Sequence, residues 1–192
     1  MAIKKLTQVG DKALRAKNLK VRDFSSPVIK KVIKDLKDTM YDTGLVGIAA
    51  TQIGKNFQIF ITHPRNTKSR KLFKEDIFRV FINPTITKSS KERVSIYEGC
   101  GSVAEGELFG PVLRSSEITV EACDENGKIF SLNCNGLLAR VIQHEVDHLD
   151  GIEFIQKVSD YTKVVSGSAY RKSIRNSKEQ LENIKITKII SD

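Results

Sequence analysis

The residues best suited to chemistry lie in the stretch 137–148, which contains the pattern His-Glu-x-x-His. On a helix this pattern places His144 and His148 at positions i and i+4 of one face, with Glu145 between them to move protons. Two histidines leave a metal short of ligands. Cys100 is the one strong soft ligand that lies in a glycine-flanked loop. A Cys/His/His set leaves a fourth coordination position for water, as in mononuclear metal hydrolases.

The pattern is short enough to arise by chance, and its residues would then be surface polar side chains. Two observations favour a metal instead. The chain has three histidines, and two of them fall in this pattern. The flanking residues Val141, Ile142, Val146 and Leu149 predict a buried helix, where imidazoles and a carboxylate are costly unless a divalent metal compensates them.

We place the third metal ligand upstream of the helix. Zinc proteases with this pattern take a Glu or His from the residues that follow. No histidine follows His148, Glu153 is close to the helix end, and Glu179 and Glu182 fall in a segment predicted to be exposed. Cys100 is therefore the favoured ligand, which changes the predicted chemistry from that of a zinc protease.

Short strands and amphipathic helices must position these residues. Residues 25–40 predict a first helix, with a serine cap, Pro27 in the first turn, an apolar stripe and Gly44 after its end. The middle of the chain predicts four short strands, at 57–62, 80–83, 118–122 and 129–132. The last two should form a hairpin around the Asn126-Gly127 turn.

Two further segments complete the predicted architecture. Residues 64–76 are polar and basic, which indicates an exposed loop. After the histidine helix, a final helix rich in Lys, Arg and Glu is predicted over about 169–186. No repeat or linker divides the chain, so we expect residues 1–192 to form a single catalytic domain. The fold class is α+β, with small antiparallel sheets around the central histidine helix.

Composition and charge narrow the class of protein. With 40% hydrophobic and 29% charged residues, the chain resembles ordinary globular proteins. No apolar run approaches the roughly 18 residues of a membrane span, and the start lacks a signal-peptide apolar region. The three cysteines have no framework spacing, so we expect a cytoplasmic protein with Cys123 and Cys134 as small core residues. The net charge of +9 favours a polyanion such as ribosomal RNA, although a solvated basic surface explains it more simply.

Three motifs give the chain a clear resemblance to the peptide deformylases, which remove the formyl group from the initiator methionine of nascent chains. Residues 46–52 (V-G-I-A-A-T-Q) resemble the first motif, 98–102 (E-G-C-G-S) the second and 143–149 (Q-H-E-V-D-H-L) the third, in family order and spacing. Asn83-Pro84 and the first-helix region also match. The resemblance therefore covers residues 5–158.

The resemblance implies a site for one divalent metal, bound by Cys100, His144 and His148. In this family the metal is typically Fe²⁺, which Zn²⁺, Ni²⁺ or Co²⁺ can replace. Glu145 would take a proton from the attacking water and hand it to the leaving amine. The Gln52 amide and the Gly101 backbone N–H would hold the developing oxyanion.

The resemblance also implies how a formylmethionyl substrate is bound. The methionine pocket would be lined by Val46, Ile96, Leu137 and Val141. Arg140 should point away from that pocket. Gly47 and the alanines after it would let the substrate backbone approach closely, although such a run by itself usually indicates only tight packing. Glu98 and Arg114 match positions that pair beneath the metal loop and would brace it.

Three departures from the family pattern bear on activity. Leu45 stands where the first motif commonly has Gly, Gly101 stands where the second commonly has a larger side chain, and residues 103–110 lack the usual Pro and basic residue. We expect Leu45 to crowd the pocket mouth and Gly101 to loosen the oxyanion loop. The main expectation is a hydrolase that deformylates nascent polypeptides.

Two alternatives stay open beside this expectation. One is an enzyme that acts on another blocked N-terminus. The other is a weak, deformylase-like protein that binds nascent chains, or the ribosome through its basic surface and C-terminal helix. The presence of Glu145 and Gln52 argues against the second alternative.

Overall fold

The computed structural model describes residues 3–67, 71–72, 74–185 and 189–191. They form two antiparallel β-sheets, one of six strands and one of three, together with two long helices and several short ones. The predicted α+β class is confirmed. None of the helices in this described part of the chain is both long enough and apolar enough to cross a membrane.

The first helix, α1, spans Pro27–Thr43. Its apolar residues recur at helical spacing, and the buried ones include Ile29, Val32 and Leu36. Gly44 ends the helix in the left-handed conformation, at φ 70°. The predicted serine cap is wrong, because the Ser26 side chain makes no capping hydrogen bond and Ser25 Oγ instead donates to Asp23 at 2.6 Å.

The large sheet has the strand order β1-β2-β3-β6-β7-β9. Its strands are β1 Gly47–Ala49, β2 Ile59–Thr62, β3 Arg79–Ser89, β6 Glu117–Cys123, β7 Ile129–Asn135 and β9 Ile189–Ser191. The predicted hairpin is confirmed as β6 and β7, which pair from Cys123↔Ile129 to Glu117↔Asn135. The third strand is longer than its predicted range of 80–83.

Strand β3 passes through Pro84 because a bulge accommodates the proline. Asn83 has a positive φ of 53°, and the pairing with β6 shifts between Ile82 and Thr85. A proline has no N–H to give to a ladder, so a bulge is one of the few places where a strand tolerates it. The Asn83 side chain is held there by two hydrogen bonds to the backbone of Val21, at 2.8 and 2.9 Å.

The small sheet has the order β4-β5-β8, with β4 at Arg93–Gly99, β5 at Leu108–Ser115 and β8 at Val165–Ser166. Sequence patterns missed these strands and the short β1. Strand β4 buries Ile96 and Glu98 on one face. A strand whose buried face includes a carboxylate lacks the usual alternation of apolar and polar residues. Only the tertiary partners of Glu98 explain its burial.

The central helix, α2, spans Gly136–Leu149 and packs against β1 and β2. Leu138, Ala139 and Ile142 are fully buried in the core cluster that also contains Phe60 and Phe81. These apolar side chains anchor one side of α2 in the core. The face with the two motif histidines is thereby held toward the small sheet.

The C-terminal segment differs from the prediction of one helix over 169–186, which is wrong. Helix α3, Gly167–Ala169, continues as a π-helical turn at Tyr170–Ile174, and a separate helix α4 spans Lys178–Glu182. The Ser177 hydroxyl accepts a hydrogen bond from Gln180 N–H at 3.3 Å and so begins the new helix. Residue 186 lies outside the described residues.

Candidate active site

Helix α2 and the end of strand β4 bring a cysteine and two histidines together. The four-residue spacing of His144 and His148 puts their rings on one helix face, with centroids 5.0 Å apart. Cys100 follows β4, and its Sγ lies 3.2 Å from His148 Nε2. One ligand atom from each of the three residues lies within 4.8 Å of the others. This is a donor set that suits a divalent metal.

Glu98 organises the cluster from behind. Its carboxylate accepts two hydrogen bonds from Arg114, at 2.6 and 3.0 Å, and one from Arg140 at 2.5 Å. Burial would raise the pKa of Glu98, but the charge of Arg114 and hydrogen bonds from His144 and Arg114 outweigh it, so the pKa lies far below its usual range. Glu98 is therefore an ionised acceptor. The predicted pairing of Glu98 with Arg114 is present.

The ionised Glu98 determines the orientation of the His144 ring. His144 Nδ1 lies 3.1 Å from Glu98 Oε2. Because a carboxylate can only accept, Nδ1 carries the proton and Nε2 is left as the ligand atom. The second guanidinium contact of the network, Arg114 to Asp147 at 2.7 Å, fastens β5 to α2 one residue before His148.

Cys100 is held in a setting that favours the thiolate. Burial would raise the pKa of its thiol, but the charge of His148 and hydrogen bonds from both histidines lower it well below the usual value. Gln52 Nε2 and the Ser102 N–H also donate to Cys100 Sγ, at 3.5 and 3.4 Å. A thiolate beside two imidazoles fits a metal ion, because the thiolate is the form of cysteine that binds one.

Gln52 lies in the short 3₁₀ helix Ala50–Ile53, and the residue before this helix fixes its side-chain amide. It is buried, and its Oε1 accepts a hydrogen bond from Ala49 N–H at 2.9 Å. Because that bond settles which end of the amide is oxygen, Nε2 must face Cys100 and Ser102 Oγ, the latter at 3.2 Å. A neutral donor thus points at the side of the cluster where a substrate oxygen would develop charge.

Glu145 lies in the cavity wall between the two histidines of α2. It is 3% exposed, and no described residue gives its Oε2 a hydrogen bond. Burial raises the pKa of Glu145 to about 7, although the charges of His144 and His148 oppose the shift. A carboxylate with that pKa can exchange a proton near neutral pH.

A cavity of about 150 Å³ opens beside the cluster. It is lined by all five predicted substrate-binding residues, Val46, Gly47, Ile96, Leu137 and Val141. Glu145, Gln52 and Gly101 line it as well. Gly47 of β1 and residues 96–99 of β4 line it together with α2 and the C-terminal segment, and both strands lie at the edge of their sheets, so the cavity is a groove bordered by two edge strands.

Residues 3–164 match the family model described as polypeptide deformylase. The chain belongs to this family. A peptide deformylase of Psychrobacter cryohalolentis is 33% identical over 184 residues, with 96% of this chain and 95% of the relative covered. One from Pseudothermotoga lettingae is 39% identical over 156 residues, with 81% and 83% covered. The chain is accordingly a hydrolase that removes formyl groups from peptide N-termini.

Solved structures of the family agree with this fold. The peptide deformylase of Thermotoga maritima superposes with a TM-score of 0.73 at 31% identity, covering 83% of this chain and 100% of that one. The Met-ala-ser bound class I type b peptide deformylase of Acinetobacter baumannii superposes with a TM-score of 0.75 at 27% identity, covering 82% and 100%.

The departures at Leu45 and Gly101 meet in the structure. A Cβ built on Gly101 would lie 2.7 Å from Leu6 Cδ1 and 3.4 Å from Leu45 Cδ1. The two leucines therefore occupy the space that a side chain at 101 would need. Leu45 lines the cavity, and whether it crowds the mouth stays a prediction. The expected looseness at Gly101 is opposed by this packing, because both leucine side chains lie against it.

No pattern in the sequence indicated that the N-terminal segment supports the site. Gln8 Nε2 donates to the Gly101 carbonyl at 2.9 Å, while its Oε1 accepts from Glu105 N–H at 3.0 Å. Ala104 and Glu105 are two consecutive non-glycine residues with positive φ, so the Gln8 amide stabilises a strained turn. Thr7 N–H also donates to the Gln52 carbonyl at 2.9 Å. The N-terminal segment thus supports the backbone at both predicted oxyanion donors, Gly101 and Gln52.

Arg140 was predicted to point away from the methionine pocket. Its guanidinium binds Glu98 and the carbonyls of Val112 and Val94, at 3.0 and 2.7 Å, all in the small sheet. Part of the residue still lines the cavity. Burial lowers the pKa of Arg140, although the charge of Glu98 opposes the shift. Because Arg140 of α2 bonds to Glu98 and Val94 of β4, the side chain holds this strand against the helix.

Proposed function

We propose that this family member removes the formyl group of formylmethionyl peptides in the groove beside Cys100, with one divalent metal bound by Cys100, His144 and His148. One observation supports this most strongly: a thiolate sulfur and two imidazole nitrogens converge within 4.8 Å at a cavity that Glu145 and Gln52 also line. The metal, when bound, polarises the formyl carbonyl and makes water acidic enough to ionise near neutral pH.

The protein's own groups would move the proton and stabilise the charge. Glu145 accepts a proton from the attacking water and later delivers it to the departing amine nitrogen. Gln52 Nε2 and the Gly101 N–H donate to the oxygen that gains negative charge. The hydrogen bond from Ala49 N–H to Gln52 Oε1 supports this role, because it holds the donor in place before substrate arrives.

The substrate would bind by its side chain and its backbone. The apolar wall formed by Val46, Ile96, Leu137 and Val141 suits an unbranched apolar side chain such as methionine. The peptide backbone would lie between the edges of β1 and β4, since edge strands bind extended peptides through main-chain hydrogen bonds. Gly47 supports this arrangement because it adds no side chain to the groove.

The native metal is proposed to be Fe²⁺, with Zn²⁺, Ni²⁺ or Co²⁺ as substitutes, since thiolate and imidazole ligands suit all four. Anaerobic purification, metal analysis and an assay on formyl-Met-Ala-Ser would test the metal and the reaction together. Cys100→Ala should lose both metal and activity. Cys123→Ala, at a half-buried cysteine outside the cluster, is the matched control and should retain both.

The outcomes of this assay separate the rival functions. Equal metal content in Cys100→Ala and the parent would contradict the ligand assignment. Turnover of acetyl-Met-Ala-Ser as fast as the formyl peptide would favour an enzyme for another blocked N-terminus. A metal-loaded parent that binds formyl peptides without hydrolysing them would indicate the weak, nascent-chain-binding alternative.

We further propose a cytoplasmic protein whose residues 1–192 act as one catalytic domain and whose basic surface contacts the ribosome. The three free cysteines support a reducing compartment. The net charge of +9 and the exposed Lys172, Lys178 and Lys185 of the C-terminal segment support a polyanionic partner. Cosedimentation with ribosomes across a salt series tests this contact, and binding unchanged by Lys172→Glu with Lys178→Glu would contradict it.

A further inference from the structure

Strand β4 presents to the cavity an edge that no described strand pairs with. It pairs with β5 along one side, and the order β4-β5-β8 places it at the end of its sheet. Tyr97 lies opposite Pro111, which has no N–H, and the Tyr97 N–H and C=O point to the outer edge. Because alternate residues of an antiparallel strand face the same side, Gly99 shares this edge. Gly99 lies next to Cys100, and both line the cavity.

The side chain of Gln180 occupies this edge at Tyr97. Its Oε1 accepts a hydrogen bond from Tyr97 N–H at 3.1 Å, and its Nε2 donates to Tyr97 C=O at 3.0 Å. The same Nε2 donates to Tyr170 Oη at 3.3 Å. Gln180 is only 5% exposed. One amide thus makes both bonds that a neighbouring strand would make with Tyr97.

The C-terminal segment holds Gln180 in this position. The Tyr170 ring stacks on Phe109 of β5, with centroids 4.0 Å apart and planes 7° from parallel. Arg171 makes two hydrogen bonds to Glu107, at 2.9 and 2.7 Å, just before that strand. The segment is therefore attached to the start of β5 before it reaches Tyr97, which helps to preorganise the Gln180 amide.

The direction of a bound peptide follows from the closed end of the groove. The formyl carbon must lie near Cys100 and Glu145. Beyond Cys100, Leu6 Cδ1 and Leu45 Cδ1 lie 2.7 and 3.4 Å from where a Cβ on Gly101 would stand, so these side chains oppose a peptide that continues past that residue. It must leave along β4 from Gly99 toward Tyr97, which are about 7 Å apart at the spacing of a strand.

We propose that Gln180 ends the peptide-binding edge of β4, so that main-chain pairing stops after the second residue of the substrate. This inference rests on the proposed function. A peptide whose first residue pairs at Gly99 would bring its third residue to Tyr97, where the amide already takes both backbone groups. Nascent chains would then be bound through their first two residues, and the chain from the third residue onward would be accepted regardless of its length.

The experiment compares peptides of two lengths in two variants. The quantity measured is kcat/KM for formyl-Met-Ala-Ala-Ala-amide divided by kcat/KM for formyl-Met-Ala-amide. In the parent this ratio should be close to unity. Gln180→Ala frees the edge, and the ratio should rise about 5- to 150-fold, as expected for two backbone hydrogen bonds. The change should appear in KM rather than in kcat, because these bonds are made equally before and during reaction.

Arg171→Ala is the matched control, because it loosens the same segment while leaving the Gln180 amide on Tyr97. The ratio should stay at the parent value in this variant. A folded Gln180→Ala protein with an unchanged ratio would overturn the proposal. So would an equal rise in Arg171→Ala, since the effect would then come from loosening of the segment.

A binding measurement keeps this test separate from the proposed function. Calorimetry with the formyl-free peptides Met-Ala-amide and Met-Ala-Ala-Ala-amide reports on the same edge without turnover. If the parent hydrolyses no formyl peptide but Gln180→Ala selectively gains affinity for the longer one, the proposed function fails and the edge inference stands. If the parent hydrolyses formyl peptides normally and neither the parent nor Gln180→Ala distinguishes the two peptide lengths, the proposed function stands and the edge inference fails.

Discussion

At Gly47, the addition of a single methyl group should cause a large loss of catalytic rate. It lies in β1 against α2, and its φ is compatible with alanine. A Cβ built there would lie 2.5 Å from Glu145 Oε1 and 2.5 Å from Val141 Cγ1. Contacts this short do not occur, so in Gly47→Ala either the carboxylate or the strand must move.

The structure gives the size of that movement. To reach an ordinary contact of 3.4 Å, Glu145 Oε1 must retreat by about 0.9 Å, and a misplacement near 1 Å costs on the order of 10²-fold in rate. We therefore expect kcat of Gly47→Ala to fall about 10²-fold. Overpacking against Val141 should also destabilise the fold by about 1–3 kcal/mol. The metal content should stay at the parent level, because the atoms nearest the new methyl group belong to Glu145 and Val141 and not to a proposed ligand.

Steady-state kinetics on formyl-Met-Ala-Ser, metal analysis and urea unfolding measure these three quantities. Gly110→Ala is the matched control, because its Cβ would press on Val158 Cγ2 at 3.0 Å, away from the carboxylate. It should lose stability and keep kcat. A folded, metal-loaded Gly47→Ala enzyme with the kcat of the parent would refute the argument, and so would an equal loss of kcat in Gly110→Ala.

Four further outcomes are expected. Glu145→Gln should keep its metal and lose about 10²-fold or more in kcat, and equal turnover would exclude Glu145 as the base. Formyl-Met peptides should exceed formyl-Ala peptides by roughly 10- to 100-fold in kcat/KM, since each buried methylene contributes about 0.8 kcal/mol. Burial raises the pKa of Cys134 to about 12, so at pH 8 mass spectrometry should find Cys134 unalkylated until the protein unfolds, while the half-buried Cys123 reacts. Arg114→Ala should lower the free energy of unfolding, measured in urea, by about 3 kcal/mol or more, because the buried Glu98 carboxylate loses this guanidinium partner. Removing the exposed ion pair of Lys34 should leave the urea midpoint nearly unchanged.

Local patterns in the sequence were sufficient for the parts of the molecule that depend on neighbours along the chain. Helix α1 follows from an apolar stripe, a proline and a glycine, and the β6-β7 hairpin follows from Asn126-Gly127. The positions of His144 and His148 on one face require only the helical repeat. These features depend on backbone geometry within a few residues, which the order of amino acids determines directly.

The absence of a downstream ligand already favoured Cys100 as the partner of the two histidines, whereas the pairing of Glu98 with Arg114 was predicted only from the resemblance to a known family. Nothing local joins Cys100 to His148 or Glu98 to Arg114, and the strand that carries Glu98 lacks a clear amphipathic pattern. Whether the predicted residues perform their assigned steps stays a prediction.

Tertiary structure alone decided how the surrounding chain supports and limits the site. The C-terminal segment has the composition of one helix, yet Ser177 begins a second one and Gln180 pairs with the backbone of Tyr97. Gln8 reaches Gly101 and Glu105 in the same way, from the other end of the chain. A glutamine amide can donate to or accept from almost any backbone group, so the position of a glutamine in the sequence does not predict its partner. The partner is determined when packing brings distant segments into contact, which local pattern does not encode.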